Sequence, residues 1–347
     1  MRRWAVENVL LLAAGAGILL TTPLRGGLPR FTEDELYSLY FLWLLMGAVK
    51  ALERKGFFTA LARRLETRRG LGPKLVLGTF ALAALVTNDV ALLATLPLVL
   101  ALRGRRSELA VLAVLAANAG SALTPFGNPQ NLYLYLHYRL DPLAFVAAIL
   151  PLSAAFLPFL LAAGWALGPK AAQAAPPPPL AAPGAALAAL LLTLAGVLRL
   201  LPLSLTPIAA LLVLLADRRA FWAIDYGLLL TLAGFFLLVD NLEALLPVRL
   251  AGEHGVFLLA LALSQVLSNV PTAVFLAPFT DHWRALLWGV NAGGFGTPLA
   301  SLANLIGLRL FLAGAGPTDR RRFLLGYAIG ETLALLLAIA LFLAFSP

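Results

Sequence analysis

Two stretches of the chain carry the same polar punctuation inside apolar sequence. Asn118-Ala-Gly-Ser-Ala-Leu-Thr124-Pro125-Phe-Gly127-Asn128-Pro129-Gln130-Asn131-Leu132 can be laid on Asn291-Ala-Gly-Gly-Phe-Gly-Thr297-Pro298-Leu-Ala-Ser301-Leu-Ala-Asn304-Leu305, with seven of fifteen positions identical. Upstream, Asn88 and Pro97 recur as Asn269 and Pro278 at the same spacing of nine. Neutral amides and hydroxyls can coordinate a solute or ion without placing a fixed charge in lipid. Proline lacks an N–H donor and interrupts a helix. Each break exposes N–H groups at one half-helix end, which favour anions, and carbonyls at the other, which favour cations.

Four breaks follow. The first holds Thr87, Asn88 and Asp89, and the second Asn118, Thr124, Pro125, Gly127, Asn128 and Asn131. The third holds Ser268, Asn269 and Thr272, and the fourth Asn291, Thr297, Pro298, Ser301 and Asn304. These are the candidate substrate- and ion-binding residues. One Thr-Pro or Asn alone would only kink a helix or join it to a neighbour. Four breaks in repeat-related positions point to a shared site. Asp89 is the one acid among them, and its counterpart is Val270. A charged side chain near the bilayer centre costs about 2.5–3.5 kcal/mol even on lenient scales, so such a residue serves an ion or proton path or pairs with a hydroxyl. Asp240, Glu243 and Glu331 are weaker candidates.

The elements that must hold these residues are membrane helices. The chain is 61% hydrophobic and 12% charged, with a mean hydropathy of +0.89. Long apolar runs such as 141–168 and 323–347 match the roughly 30 Å hydrocarbon core. Patterning predicts helices at 4–24, 36–52, 109–137, 141–168, 185–199, 203–216, 226–246, 284–313 and 323–345. Thr32-Glu33-Asp34-Glu35 is a capping box for the second. Residues 56–70 read as an interfacial amphipathic helix on the cytoplasmic face. Residues 169–184, with four consecutive prolines from Pro176, read as a linker.

Residues 72–102 and 253–280 are too short in each arm to cross and are broken at polar tips. They read as re-entrant hairpins, which need protein or water around the tip. With an inner N-terminus and neither hairpin crossing, nineteen Lys and Arg fall inside and six outside. This positive-inside bias predicts an N-terminus in the cytoplasm and a C-terminus outside. The expected organisation is a first repeat over 1–168, a linker and connecting helix over 169–202, and a second, inverted repeat over 203–347. The fold class is therefore an all-α polytopic membrane protein with two re-entrant hairpins and two broken transmembrane helices. Inverted repeats with interrupted helices are the pattern of secondary transporters, whose sites lie near the midplane.

These residues also carry a resemblance. Asn88-Asp89, then Ala91-Leu92-Leu93 and Pro97, resembles the first hairpin of arsenite/antimonite permeases. Asn269-Val270-Pro271-Thr272 and Thr297-Pro298-Leu299-Ala300-Ser301 resemble their second-half motifs. The layout over roughly 35–345 is similar to the ion transporter superfamily, which takes in the NhaD-type sodium/proton antiporters, the divalent anion/sodium symporters and CitMHS-type permeases. In the anion symporters each tip carries Ser-Asn-Thr, and Thr124-Pro125 through Asn131 fits their broken-helix signature. The tips here depart from that pattern, which leans toward the permease and antiporter side. The resemblance implies an elevator-type homodimer in the lipid bilayer with H+ or Na+ as coupling ion.

Other classes are disfavoured. The charge of +9 follows from the loops, and no nucleic-acid-binding motif accompanies it. There are no cysteines, and the three histidines lie apart, so no metal centre or other cofactor is expected. No nucleophile and base have the spacing of an intramembrane enzyme. The leading expectation is a proton- or sodium-coupled permease for a small anion or metalloid oxyacid in the inner membrane. A sodium/proton antiporter, a di- or tricarboxylate–sodium symporter and a channel-like subunit remain alternatives.

Overall fold

The computed structural model describes residues 9–64, 70–102, 105–167 and 182–345. The expected helix start before residue 9, Arg68, Arg69, Arg103 and the proline run lie outside them. Among the described residues every regular element is helical. The capping box forms as expected: the Thr32 hydroxyl accepts from the Glu35 N–H at 3.3 Å, and Glu35 accepts from the Thr32 N–H at 2.7 Å. It starts α2 (Glu33–Arg54), which follows α1 (Val9–Arg25) and precedes the short α3 (Phe57–Arg64).

The two predicted hairpins are pairs of short helices whose arms pack on one another. They are α4 (Leu71–Leu85) with α5 (Asn88–Ala101), and α12 (Glu253–Leu267) with α13 (Asn269–Leu276). The two predicted broken helices are broken. They comprise α6 (Arg106–Ser121) with α7 (Pro129–His137), and α14 (Trp283–Ala292) with α15 (Leu302–Gly314). The remaining helices are α8 (Pro142–Leu167), α9 (Gly184–Val197), α10 (Pro207–Asp217), α11 (Tyr226–Leu245) and α16 (Pro317–Phe345).

The largest departures from the expected bounds are at two helices. α16 starts at Pro317, six residues early, because proline suits a first helical turn and Asp319 favours its positive end. The expected helix at 203–216 is a 3-10 turn followed by α10 of 11 residues. Among the described residues, only α2, α8, α11 and α16 are both long and apolar enough to cross a bilayer singly. Leu19, Leu24, Trp165, Leu215 and Trp222 are exposed, whereas Asn118, Asn131, Asn291 and Asn304 are buried. Apolar outside and polar inside is the distribution of a polytopic membrane protein.

The helices at the start of the chain and after α9 each pack on the other part of the sequence. α1 packs along α11, and α10 packs along α2. The Trp43 ring on α2 stacks on Phe221 just after α10, at 4.6 Å. Arg25 pairs with Asp240 across α1 and α11, and Arg106 with Asp319 across α6 and α16. Arg54 bonds Asp217 at 2.6 Å and holds that carboxyl below the usual carboxylate range. α8 covers α4 and α6, while α16 covers α6 and packs against α14. The longer helices thus cover the first hairpin and the first broken helix, while α11 packs against α13 of the second hairpin.

Candidate functional site

The loop of each broken helix is built by its own cap. Asn128 accepts from the Asn131 N–H at 3.0 Å, with Pro129 opening α7. Ser301 accepts from the Ala303 N–H at 3.2 Å at the start of α15. Both are N-cap bonds, which satisfy donors a helix start leaves free. Each loop then holds a hairpin tip through the backbone. The Asn88 N–H donates to Gly127 O at 3.2 Å, and the Asn269 N–H to Ala300 O at 2.9 Å. The two Thr-Pro hydroxyls brace the preceding hairpin arm. Thr124 donates to Ala84 O at 2.6 Å and Thr297 to Gln265 O at 2.8 Å, each carbonyl four residues before its tip Asn.

The halves meet through asparagines. Asn118 donates to Asn304 Oδ1 at 2.7 Å, and Asn291 donates to Asn131 Oδ1 at 2.8 Å. Each bond links the first Asn of one motif to the later Asn of the other. Asn131 also donates to Ser121 O, Ala122 O and Thr124 O, and Asn304 to Gly294 O and Thr297 O. Ser301 donates to Asn118 Oδ1 at 3.1 Å. Buried amides satisfied in this way fix one arrangement and are costly to half-remove. Asn304→Leu leaves the Asn118 amide short of its acceptor. The expected loss is about 1–3 kcal/mol, read as a lower melting temperature in detergent. Asn118→Leu in that background should then cost less than it does alone.

A cavity of about 340 Å³ lies where the tips and loops meet. Of the expected residues, Asn88, Asp89, Asn128, Ser268, Asn269, Pro298 and Ser301 line it. Asn118, Asn131, Asn291 and Asn304 form the network, and Thr124, Thr297 and Gly127 brace the loops. Thr272 bonds Ser268 O within its helix turn at 2.8 Å, Pro125 is buried in its loop, and Thr87 caps α5 without a cap bond from its side chain. Asp89 Oδ1 is buried and has no hydrogen-bond partner. Ser268 sits at φ 73 and ψ 154, a region costing a non-glycine residue of order 1–3 kcal/mol and found where the surroundings impose it.

The weaker acids lie elsewhere. Asp240 accepts from the Arg30 N–H at 2.9 Å besides pairing with Arg25, and Glu243 is exposed. Glu331 is buried on α16 and accepts from the Gly296 N–H at 2.9 Å. Sequence reasoning missed Gln130, Asp225 and Arg309, which line the cavity, and Gln265, which spans the fourth break. Gln265 donates to Gly293 O and Phe295 O and accepts from the Thr297 N–H. Gln130 lies inside the quoted motif, but its counterpart is Ala303, so the repeat did not mark it. Among the described residues no group of three or more acids or histidines could hold a metal ion.

Residues 7–307, which include both hairpins and both broken-helix loops, match the CitMHS family, described as citrate transporters. The chain belongs to the CitMHS family. The inner membrane protein YbiR of Escherichia coli is 37% identical over 326 residues, covering 87% of this chain and 86% of that protein. The uncharacterized transporter MJ0456 of Methanocaldococcus jannaschii is 28% identical over 321 residues, covering 87% and 89%. The silicon efflux transporter LSI3 of rice is 33% identical over 152 residues, covering 39% of this chain and 31% of that protein. The CitMHS membership and these names indicate a membrane transporter rather than an enzyme.

Proposed function

We propose that this CitMHS member is a secondary active transporter of a small anion or metalloid oxyacid, coupled to H+ or Na+. The observation that carries this is the cavity lined by both hairpin tips and by residues of both broken-helix loops. Half-helix ends converging on one cavity supply the neutral coordination of midplane transport sites. The family description names citrate, and the rice relative's name gives silicon. Both support a small oxyacid as the solute. The partnerless oxygen of Asp89 favours one second reading, sodium/proton antiport with no third solute.

The two halves are read as inverted repeats, residues 1–168 and 203–347 joined by 169–202. The exchanged packing of α1 and α10 and the crossed asparagine bonds support this. On the charge bias, the N-terminus is cytoplasmic and the C-terminus outside. On that orientation Val9–Leu11 and Asp225, which border the cavity, lie near cytoplasmic helix ends. The tips and broken helices would move as one body against α1, α2 and α9–α11 in a homodimer, as an elevator.

Transport by protein in proteoliposomes, with imposed pH or sodium gradients, tests the function. Solute accumulation supports it, while sodium/proton exchange unaffected by any oxyacid favours the antiporter. Thiol labelling tests the topology against a cysteine-free background. Lys74→Cys and Arg105→Cys, at the outer ends of the first hairpin, are expected to label only from the cytoplasmic side. Arg199→Cys should label from the opposite side. If residues 74 and 105 label from opposite sides, the hairpin crosses.

A further inference from the structure

Gln130 is 1% exposed and lines the cavity, yet neither its Nε2 nor its Oε1 has a hydrogen-bond partner. Leaving a buried polar group without a partner is costly, because its lost hydration is not replaced. Every motif asparagine around it is bonded. Gln130 stands directly after the N1 proline of α7, whose N-cap Asn128 does bond, so its orphan atoms are local to this side chain. The second orphan on the cavity wall, Asp89 Oδ1, belongs to the hairpin tip held to the same loop through Asn88 and Gly127.

The repeat sharpens the observation. Gln130 corresponds to Ala303, and Asp89 to Val270. The orphan polar atoms therefore belong to the first half of the chain. The second half contributes the apolar Val270, Pro271, Leu299 and Leu302 to the same cavity, beside Ser268, Asn269, Ser301, Asp225 and Arg309. What is one-sided is the pairing: the orphan atoms lie on the first-half side, although the backbone around the cavity is paired.

We propose that Gln130 is a specificity-determining residue that binds a hydroxyl group of the transported solute, together with Asp89. This rests on the transporter reading and narrows its substrate class. The three orphan atoms comprise two acceptors, Asp89 Oδ1 and Gln130 Oε1, and one donor, Gln130 Nε2. A fully ionised anion without hydroxyls offers only acceptors. It would satisfy one atom and bring its charge beside Asp89. A hydroxyl donates to an acceptor and accepts from the amide, so a hydroxylated oxyacid or hydroxy acid satisfies the set.

The test uses the full-length protein in detergent and in proteoliposomes. The probes are orthosilicic acid, citrate and tricarballylate, which is citrate without its hydroxyl, and sulfate. Wild type is expected to be stabilised by a hydroxylated probe at least about tenfold more tightly than by tricarballylate or sulfate, since a site built for a hydroxyl rejects an analogue lacking it. Gln130→Met keeps the volume and removes the orphan amide. It is expected to melt at or above the wild-type temperature in the absence of probe, yet to bind the preferred probe at least about tenfold more weakly. Gln130→Asn should recover part of the affinity. A merely structural glutamine predicts the reverse, a lower melting temperature with unchanged affinity. That result overturns the proposal, as does a wild type that binds tricarballylate or sulfate as tightly as the hydroxylated probes. If wild type binds none of the hydroxylated probes but moves sodium against protons, the substrate class is wrong while an antiporter stands.

Discussion

Asp89→Asn is expected to leave a folded protein that exchanges solute across a membrane but no longer accumulates it. The substitution keeps the shape of the side chain. The local bond at the tip is from the Asp89 backbone N–H to Asn88 Oδ1 at 3.0 Å, and the new side chain does not touch it. What changes is the charge the tip can hold. An ionised oxygen buried without a partner is costly, and a proton or a bound cation relieves the cost. A residue relieved in one state and solvated in the other is what coupling requires, because an ion shifts a conformational equilibrium only by its differential affinity. The asymmetry with Val270 argues against a plain capping role, since both tips meet the same helix-start demand. One unit of pH across the membrane supplies about 1.4 kcal/mol per coupled proton, which sustains roughly tenfold accumulation. In proteoliposomes the ratio for Asp89→Asn should fall from about ten toward one while solute counterflow continues. A variant with wild-type dependence on both gradients would make Asp89 structural and move attention to Glu331. That carboxyl has one bonded oxygen and one orphan.

Local chemistry was readable in the sequence. Thr32 and Glu35 announced their box, Thr-Pro and Asn announced the breaks, and arm length announced the paired short helices. Each of these is a short-range signal. The crossed asparagine bonds join residues separated by 186 and 160 positions, and no local period encodes such a distance. The repeat pairs Asn88 with Asn269, and both line the cavity. Asn131 and Asn304, expected there too, bond loop carbonyls and their partners across the halves. Symmetry also hid what breaks it. Gln130 and Asp89 have apolar counterparts, so a comparison of halves ranks the first low and leaves the second to its charge. The charges in 319–322 read as loop, yet they form the first turns of α16, because Pro317 is as good a helix opener as a loop residue.

Gly127→Ala is expected to cost both stability and transport, through the contact that fixes the first hairpin tip. A Cβ on Gly127 would lie 2.2 Å from Ser121 O and 2.8 Å from the Ser121 carbonyl carbon and Cα. All three are backbone atoms, so no rotamer change can yield the space. The loop between α6 and α7 must shift instead. Its freedom is small: the Gly127 N–H donates to Thr124 O, and Asn131 Nδ2 binds three carbonyls of the same loop. Overpacking at such a site typically costs about 1–3 kcal/mol. The Gly127 carbonyl also receives the Asn88 N–H, so the shift passes directly to the tip and to the cavity wall that Asn88 and Asp89 form. Uptake should therefore fall by about tenfold or more, beyond what the fraction of folded protein accounts for. Gly184→Ala at the start of α9 is the matched control. Its Cβ would meet nothing within 4 Å, and replacing glycine in a helix gains up to about 1 kcal/mol. Melting temperature and initial uptake rate, measured on the same preparations, separate the two effects. A Gly127→Ala protein with wild-type melting and uptake would mean that the tip does not depend on this loop, and with it the case for a site shared between hairpin and broken helix would fail.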